Sequence, residues 1–299
     1  MGALFNIDTL STLDRFGHIF PGSDVCLRFN PDVIAGDNAK VQTAGEASKF
    51  GILLSDVDEA VHILQKHELR CVGLHSHTGS GIKEPHKFLK AAQNLLNLAT
   101  PKRFPDLQFI DFGGGFAVPY HPQEKRIAYS AFGHEMTALF TSFCKGYGRE
   151  LGLYFEPGRY IVAESGYLLV EVNAVKSNRH RCFASTNSGF PQLIRPVLYG
   201  AYHHIVNLSN PHGPPAEYDI CGNICESGDC FAVGRTLSEI REGDILAIQT
   251  AGAYCYSMGG YYNLRSMPTE ILVLEGKERV VRRSASEEEL VEAILAECL

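Results

Sequence analysis

The first half of the chain alternates short apolar runs with segments whose apolar residues recur at helical spacing. The apolar runs predict five strands, at residues 3–7, 25–29, 71–75, 107–112 and 153–155. Between them, Ser55 precedes one helical pattern as a candidate N-cap, Pro85 begins a second, and residues 128–149 form a third. This alternation predicts parallel strands joined by right-handed crossovers. Several strands end in glycine or polar residues, as in a β/α barrel whose chemistry lies at the carboxyl ends of its strands.

After about Gly166 the pattern changes to short segments rich in β-branched residues, separated by Gly, Pro and Asn. These segments predict strands at 167–176, 182–185, 218–221, 245–250, 270–274 and 280–283, with a clear loop at 207–215. A capping box, Ser286 with Glu289, opens a terminal helix. The pattern therefore predicts two domains, an α/β barrel domain over 1–166 and an all-β domain with a terminal helix over 167–299.

Composition narrows the functional classes. The chain has 299 residues, 45% hydrophobic and 20% charged, which suits a globular protein with a full core. A net charge of −7 argues against nucleic acid as the main partner, and no apolar run is long enough to span a membrane. The first residues carry no export signal, so the nine cysteines are interpreted as reduced thiols of a cytoplasmic protein.

The stretch 221–228 places the thiol of Cys225 beside the carboxylate of Glu226, with a glycine on either side. A thiol can give or take a proton near neutral pH, and a carboxylate can hold a substrate ammonium. The alternative is a tight turn around a buried thiol. A zinc site that uses Cys221, Cys225 and His203-His204 is conceivable, but no second cysteine pair supports it, and no metal is predicted.

Three further motifs follow apolar strands. His77 and Ser80 lie in a glycine-rich stretch that can stack on a flat ring and bind an anion. The run Gly113–Gly115 lets the backbone approach a phosphate, and it is not a nucleotide-binding fingerprint. Glu156-Pro157-Gly158-Arg159 sets a carboxylate near a guanidinium. Each motif also has a purely structural interpretation, as a turn or an ion pair.

Arg195, Tyr199 and Tyr254 add a guanidinium and two phenols, although buried tyrosines are more often core residues. Taken together, the motifs describe a ligand with a phosphate, a planar ring with a basic nitrogen, an amino group and a carboxylate. Pyridoxal 5'-phosphate joined to an amino acid has all four features.

These stretches resemble the fold-type III pyridoxal-phosphate-dependent decarboxylases of ornithine, lysine, arginine and diaminopimelate, and most of all the bacterial diaminopimelate decarboxylases. The resemblance covers nearly the whole chain, including residues 27–31, 48–52 and 262–265. It implies a TIM-type (β/α)8 barrel followed by a β domain, pyridoxal phosphate as cofactor, and an amino acid as substrate.

The resemblance also implies a role for each motif residue. Cys225 is implied as the acid that protonates the carbanion after carbon dioxide leaves. Cofactor binding is implied for His77, Ser80, Gly113, Gly114, Gly115, Glu156, Gly158, Arg159 and Tyr254. Substrate binding is implied for Arg159, Arg195, Tyr199, Glu226 and Tyr254. In this family the Cys225 and Glu226 positions serve the site of the partner subunit, so a homodimer is implied.

Substrate choice within the family depends on few positions. Ornithine decarboxylases carry an acidic residue where this chain has Gly200, and Arg195 precedes it. An arginine suits a substrate with a second carboxylate, because a buried guanidinium without an anion is costly. We therefore favour meso-2,6-diaminopimelate, which would give L-lysine. Ornithine, lysine or a carboxylated polyamine precursor are the alternative substrates.

One family feature is missing from the sequence. The family's Schiff-base lysine lies near its N-terminus in a Tyr-x-x-Lys strand, and none of the eleven lysines here, among them Lys40 and Lys49, has that context. The abrupt beginning at Met1 and the count of only five barrel strands lead us to expect an N-terminally shortened chain with low turnover on its own. A non-catalytic cofactor-binding relative is the alternative, and the retained Cys225 and Glu226 favour the enzyme.

Overall fold

The computed structural model describes residues 2–36, 38, 43–45 and 48–297, so Met1 and Lys40 lie outside the described residues. The chain forms two compact units. The first comprises Met1–Val118 and Lys125–Ile161, and the second comprises Pro119–Glu124 and Val162–Leu299. Each unit has a hydrophobic core of its own.

The first unit is built on a five-stranded parallel sheet whose strands lie side by side in sequence order. The strands are β1 (Phe5–Ile7), β2 (Asp24–Arg28), β3 (Arg70–His75), β4 (Phe109–Asp111) and β5 (Gly152–Tyr154). The crossover helices are α1 (Leu10–Ile19), α2 (Val57–Lys66), α3 (Pro85–Leu98) and α4 (Tyr129–Tyr147). A 3₁₀ turn at Leu54–Asp56 precedes α2. This is the β/α barrel arrangement expected from the strand and helix periodicity.

The core of the first unit lies on both faces of this sheet. Leu27, Leu74 and Ile110 occupy neighbouring register positions on β2, β3 and β4, and all three are fully buried. Phe88 packs edge-to-face on Phe132, with ring centroids 5.2 Å apart. The sequence located all five strands from their apolar runs, and in β2 and β3 these runs are buried on both faces of the sheet.

The second unit contains a six-stranded sheet in the order β10-β9-β7-β6-β11-β8, antiparallel except for the β7–β9 pair. Its strands are β6 (Leu168–Ser177), β7 (Cys182–Thr186), β8 (Ile205–Asn207), β9 (Pro215–Cys221), β10 (Cys230–Ser238) and β11 (Ile245–Ile248). The sequence pattern did not predict β8 or β10. Gly234 lies inside β10 at φ +58°, where the pairing with β9 shifts register, and this bulge interrupts the alternation of the strand.

A separate hairpin of β12 (Glu270–Leu274) and β13 (Lys277–Arg282) precedes the last helix. The short helices are α5 (Gly158–Val162) and α6 (Arg195–Tyr199), with 3₁₀ turns at Ala163–Ser165, Tyr256–Met258 and Tyr262–Leu264. Helix α7 (Glu287–Glu297) begins with the predicted capping box, because Glu289 N–H donates to Ser286 Oγ and Ser286 N–H donates to Glu289. Among the described residues, no helix is long and apolar enough to cross a bilayer.

Candidate active site

The loops that follow β3, β4 and β5 bring the first group of candidate residues together. His75 and Asp111 are the last residues of β3 and β4 and occupy paired register positions, and Glu156 follows β5 by two residues. Parallel strands place their carboxyl ends at one edge of the sheet. The strand order therefore makes neighbours of three motifs that lie far apart in the sequence.

The glycine run Gly113–Gly115 lies between the loops after β3 and β5. A Cβ on Gly114 would come within 2.2 Å of the Glu156 carbonyl oxygen, and one on Gly115 within 2.1 Å of the Gly79 carbonyl oxygen. Gly113 and Gly115 also have positive φ values of +69° and +105°. Only glycine therefore lets the three loops meet this closely.

Two N–H groups of this run bind acceptors inside the protein. Gly113 N–H donates to Asp111 Oδ1 (2.8 Å), and Gly114 N–H donates to His77 Nδ1 (3.1 Å). The sequence interpretation had placed the backbone of this run close to a phosphate. The structure adds that the first two of its N–H groups shape the loop and orient the His77 ring.

His77 is held as a neutral ring. Burial, together with the nearby Arg28 and His75, lowers its pKa from 6.5 to about 4. Since Nδ1 accepts the Gly114 hydrogen bond, the proton of the neutral ring is on Nε2. A flat, uncharged imidazole with a fixed orientation is suited to stacking on an aromatic ligand.

Arg159 supplies a guanidinium to the site, and Ser80 supplies a hydroxyl. Arg159 Nη2 donates to Ser80 Oγ at 3.0 Å, and the arginine is 8% exposed. Gly158 begins the short helix α5 that carries Arg159. A guanidinium and a hydroxyl that converge in this way can bind the oxygens of a phosphate.

A carboxylate lies beside a buried histidine at the same strand ends. Glu156 Oε2 is 3.6 Å from His75 Nε2, and the Glu156 side chain is 56% exposed whereas His75 is buried. Burial lowers the pKa of His75 to about 4 and raises the pKa of Asp111. Glu156 is thus the carboxylate of this group that a ligand can reach.

In the second unit, Arg195 is fixed by its own surroundings. It is 3% exposed, its Nη1 lies 2.7 Å from His203 Nε2, and its guanidinium stacks 4.4 Å from the ring centroid of Tyr120. His203 Nδ1 is 2.9 Å from the Gln249 carbonyl, which can only accept. His203 therefore donates from Nδ1 and presents Nε2 as the acceptor for Arg195.

Cys225 and Glu226 belong to a cluster that the sequence interpretation identified only in part. The Cys225 thiol is exposed and lies 3.6 Å from Glu226 Oε2 and 3.7 Å from Asn263 Nδ2. Tyr262 donates its hydroxyl to Glu226, and this hydrogen bond lowers the pKa of the Glu226 carboxyl. Residues 262–265 had been noted for resemblance but given no role, and that resemblance was the signal for Tyr262 and Asn263.

The loop that carries this pair, residues 222–229, is shaped by Asp229. This buried carboxylate accepts the N–H groups of Ile224 (2.9 Å) and Phe190 (2.7 Å). A Cβ on Gly222 would come within 2.1 Å of Asp229 Oδ2, so this flanking glycine makes room for the anchor. Asp229 was not identified from the sequence.

The two tyrosines are placed differently. Tyr199 is the half-buried last residue of α6, the helix that Arg195 begins. Tyr254 is 40% exposed and has a positive φ of +58°, a strained backbone conformation for a residue with a bulky side chain. Backbone strain of this kind is concentrated at functional sites, which is consistent with Tyr254 as a candidate site residue.

Two groups of His and carboxylate side chains in the described parts of the chain are close enough to share a cation. One is Asp14, His18 and His67, and the other is His75, Asp111 and Glu156. Neither includes Cys221, Cys225 or the His203-His204 pair. The second group coincides with the strand-end site.

Comparisons with known proteins agree with this geometry. Residues 3–163 match the family described as "Pyridoxal-dependent decarboxylase, pyridoxal binding domain". The diaminopimelate decarboxylase of Methanothermobacter thermautotrophicus is 43% identical in an alignment of 289 positions, and the match covers 94% of this chain and 67% of that protein. The diaminopimelate decarboxylase of Escherichia coli K12 is 36% identical in an alignment of 298 positions, and the match covers 96% of this chain and 70% of that one.

Solved structures show the same relationship. A crystal structure of diaminopimelate decarboxylase from Helicobacter pylori complexed with L-lysine superposes with a TM-score of 0.85 at 30% identity, and covers 99% of this chain and 74% of that one. Another diaminopimelate decarboxylase structure gives 0.89 at 36% identity, with 97% and 71% covered. The glycine-lined strand ends, the sequence match and the superposed folds agree, and the chain belongs to the pyridoxal-dependent decarboxylases.

Proposed function

We propose that this protein decarboxylates meso-2,6-diaminopimelate to L-lysine with pyridoxal phosphate. The observation that carries the proposal is the convergence of His77, Ser80, Glu156 and Arg159 around the glycine run at the strand ends. The similar proteins named above, two of them with at least 36% identity over most of the chain, are diaminopimelate decarboxylases and support the choice of substrate.

The residues of the first unit fit the cofactor part by part. A phosphate needs donors and positive charge, which Ser80 and Arg159 supply at a hydrogen-bonded distance from each other. A pyridine ring needs a flat partner, and the neutral His77 ring is one. Its ring nitrogen needs an accessible carboxylate, and Glu156 is more than half exposed.

When bound, pyridoxal phosphate supplies a ring that accepts the electron pair left on the α-carbon as carbon dioxide departs. The residues of this chain bind and orient the reactants and move a proton. Glu156 would keep the pyridine nitrogen protonated, Arg159 would hold the phosphate, and Cys225 would return a proton to the α-carbon. The Cys225 thiol is exposed and lies next to a carboxylate and an amide that fix its position.

The two charged groups at the distal end of the substrate are assigned to two residues of opposite charge. Arg195 is preset by His203 and Tyr120 and suits a carboxylate in bidentate geometry. Glu226 suits an ammonium, because a carboxyl is ionised near neutral pH and the hydrogen bond from Tyr262 lowers its pKa further. A diamino dicarboxylic acid offers both partners at its distal end, whereas ornithine and lysine lack the second carboxylate.

We also propose that the protein acts as a homodimer. The β12–β13 hairpin is exposed along its whole length, and Ile271, Val273, Leu274 and Val280 are each more than half exposed. Apolar side chains exposed in such number commonly mark an interaction surface. A second copy of the chain is the occupant that the dimeric family suggests.

A panel of substrates tests the proposed reaction. The cofactor-loaded protein is incubated separately with meso-diaminopimelate, L-ornithine and L-lysine, and the amine products are quantified by mass spectrometry. We expect L-lysine from meso-diaminopimelate at a rate at least about tenfold above the rates with the other two, because each charged contact at the distal end contributes roughly 1.5–3 kcal/mol. Preferential formation of putrescine or cadaverine would reassign the substrate. Bound cofactor with no product from any substrate would favour a non-catalytic relative.

A further inference from the structure

Two cysteines face each other across the base of the loop that carries Cys225. Cys221 is the last residue of β9 and Cys230 is the first residue of β10, and they are register partners in the antiparallel pair. Their sulfur atoms are 3.3 Å apart, and both thiols are free and half-buried. The two thiols are therefore in contact with each other, and a small molecule can still reach them.

The backbone hydrogen bonds identify the type of cross-strand pair. Gly222 N–H donates to the Asp229 carbonyl (2.8 Å), and Cys230 N–H donates to the Gly228 carbonyl rather than to Cys221. Cys221 and Cys230 therefore occupy a non-hydrogen-bonded position, where Cα atoms are about 4.5 Å apart. Disulfides span Cα separations of about 4.4–6.8 Å. A bond between the two sulfurs requires them to approach to about 2.05 Å, a movement of roughly one ångström.

The exposed thiol of Cys225, in the same loop, has different neighbours. Cys225 Sγ lies near the Glu226 carboxylate and the Asn263 amide, and no contact joins it to Cys221 or Cys230 among the hydrogen bonds of the described residues. Cys221 and Cys230 are thus the pair that the fold has aligned for bond formation, and Cys225 is left out of it.

We propose that Cys221 and Cys230 form a reversible dithiol–disulfide site that closes the neck of the 222–229 loop by exchange with a small-molecule disulfide such as oxidised glutathione. One thiolate attacks glutathione disulfide and releases one glutathione thiolate, giving a mixed disulfide. The second cysteine thiolate attacks the protein sulfur of that mixed disulfide and releases the second glutathione. The cysteine pair loses two protons and two electrons, and glutathione disulfide takes up the electrons to become two thiols.

The order of attack follows from the contact between the two groups. The two sulfurs share one hydrogen bond, and this contact lowers the pKa of Cys230 and raises that of Cys221. Cys230 is therefore the first nucleophile and Cys221 the resolving one. The chemistry of bond formation does not depend on the proposed decarboxylation. Any effect of the disulfide on turnover does depend on the proposed decarboxylation, because the closed neck holds the backbone on both sides of Cys225 and Glu226.

Mass spectrometry of the full chain tests the proposal. The protein is incubated with oxidised glutathione at mildly alkaline pH, alkylated in acid, and digested with a protease that cuts after glutamate. Cleavage after Glu226 separates Cys221 from Cys230 unless they are bonded. We expect an intact protein lighter by two hydrogen atoms, a linked pair of peptides, and complete reversal by dithiothreitol.

Three variants distinguish the bonding partners. Cys225→Ser should retain the linked peptides, whereas Cys221→Ser and Cys230→Ser should each lose them, and Cys221→Ser should accumulate a glutathione adduct on Cys230. The wild-type peptide map does not depend on the folding of any variant. Linked peptides that disappear in Cys225→Ser, or a wild-type chain that gains only glutathione adducts or does not react, would overturn the proposal.

Discussion

At the scale of single residues, the orientation of the His77 ring depends on a hydrogen bond from the glycine run. His77 and the glycine run were separate motifs 36 residues apart, and the Gly114 N–H bond to His77 Nδ1 joins them. Tyr262 and Asn263 were missed as site residues because they reach Glu226 and Cys225 across 36 and 38 residues of sequence. Contacts over such separations follow from the fold and leave no local pattern.

Replacement of Cys225 should reduce turnover without a comparable change in substrate binding. If Cys225 returns the proton, Cys225→Ser should lower kcat by about 10²–10⁴-fold, the usual contribution of a positioned acid. Cys144→Ser, in helix α4, is the matched control and should keep the wild-type rate. Steady-state assays with meso-diaminopimelate measure both, and equal rates for the two variants would remove Cys225 from the mechanism.

Acid should destabilise the first unit through its strand-end histidines. The pKa values of His75 and His77 are about 4 in the fold, against 6.5 for a free imidazole. Between pH 6.5 and 4 the unfolded chain therefore binds more protons, so the stability supplied by each neutral ring is complete above pH 6.5 and falls with pH. The free energy of unfolding should fall by up to about 1.4 kcal/mol per pH unit for each imidazole.

Urea titrations of the cofactor-free protein at pH 7 and pH 5 measure this loss. His77→Asn keeps an acceptor for Gly114 and should show a smaller loss than the wild type, while the exposed His212→Asn control should match the wild type. An undiminished loss in His77→Asn would show that this ring is not a source of the acid sensitivity.

At the scale of elements, the strands of the parallel sheet were the easiest to predict and irregular features the hardest. All five strands of the first sheet were located from their apolar runs, and Pro85 does begin α3. The prediction that Ser55 caps α2 was wrong, because Ser55 lies in a preceding 3₁₀ turn and its hydroxyl donates to Asp56. Strand β8 was missed because its apolar run has only two residues, and its polar last residue, Asn207, had been assigned to a loop.

Two Gly→Ala substitutions should change the stability of the protein in opposite directions. Gly114→Ala places a Cβ against the Glu156 carbonyl and should cost about 1–3 kcal/mol of stability while weakening cofactor binding. Gly133→Ala lies inside helix α4 with no atom within 4 Å of the new Cβ, and should stabilise by about 0.5–1 kcal/mol. Chemical denaturation measures both changes, and a neutral Gly114→Ala would contradict the close approach of the loops.

At the scale of the whole molecule, the second unit exposes many large apolar side chains in its last two strands and its last helix. The β12–β13 hairpin has no buried residue, and the apolar side chains of Val291, Ile294 and Leu295 on α7 are also exposed. Periodicity predicted that these strands and this helix exist. It could not show that they lack a covering layer, since burial depends on the rest of the fold and on partners.

The homodimer proposal places this surface against a second copy. Val273 is 70% exposed, and Val273→Lys should convert a dimer to a monomer because a charge would be buried on association. Ile19→Lys, at a 61% exposed position on α1, is the control and should remain dimeric. Light scattering coupled to size exclusion decides the outcome, and a wild-type protein that is monomeric at micromolar concentration would refute the proposal.

Titration of pyridoxal phosphate into the 299-residue chain tests the central claim most directly. Absorbance and equilibrium binding are compared for the wild type, Arg159→Met and Arg70→Met. Arg159 lies with Ser80 at the carboxyl ends of the strands, whereas Arg70 begins β3 at the opposite end and pairs with Asp24. We expect saturable binding by the wild type and Arg70→Met, and an affinity at least about tenfold lower for Arg159→Met, since a charge-assisted contact contributes roughly 1.5–3 kcal/mol. Equal affinities for all three proteins, or no saturable binding at all, would contradict the assignment of the strand-end loops as the cofactor site.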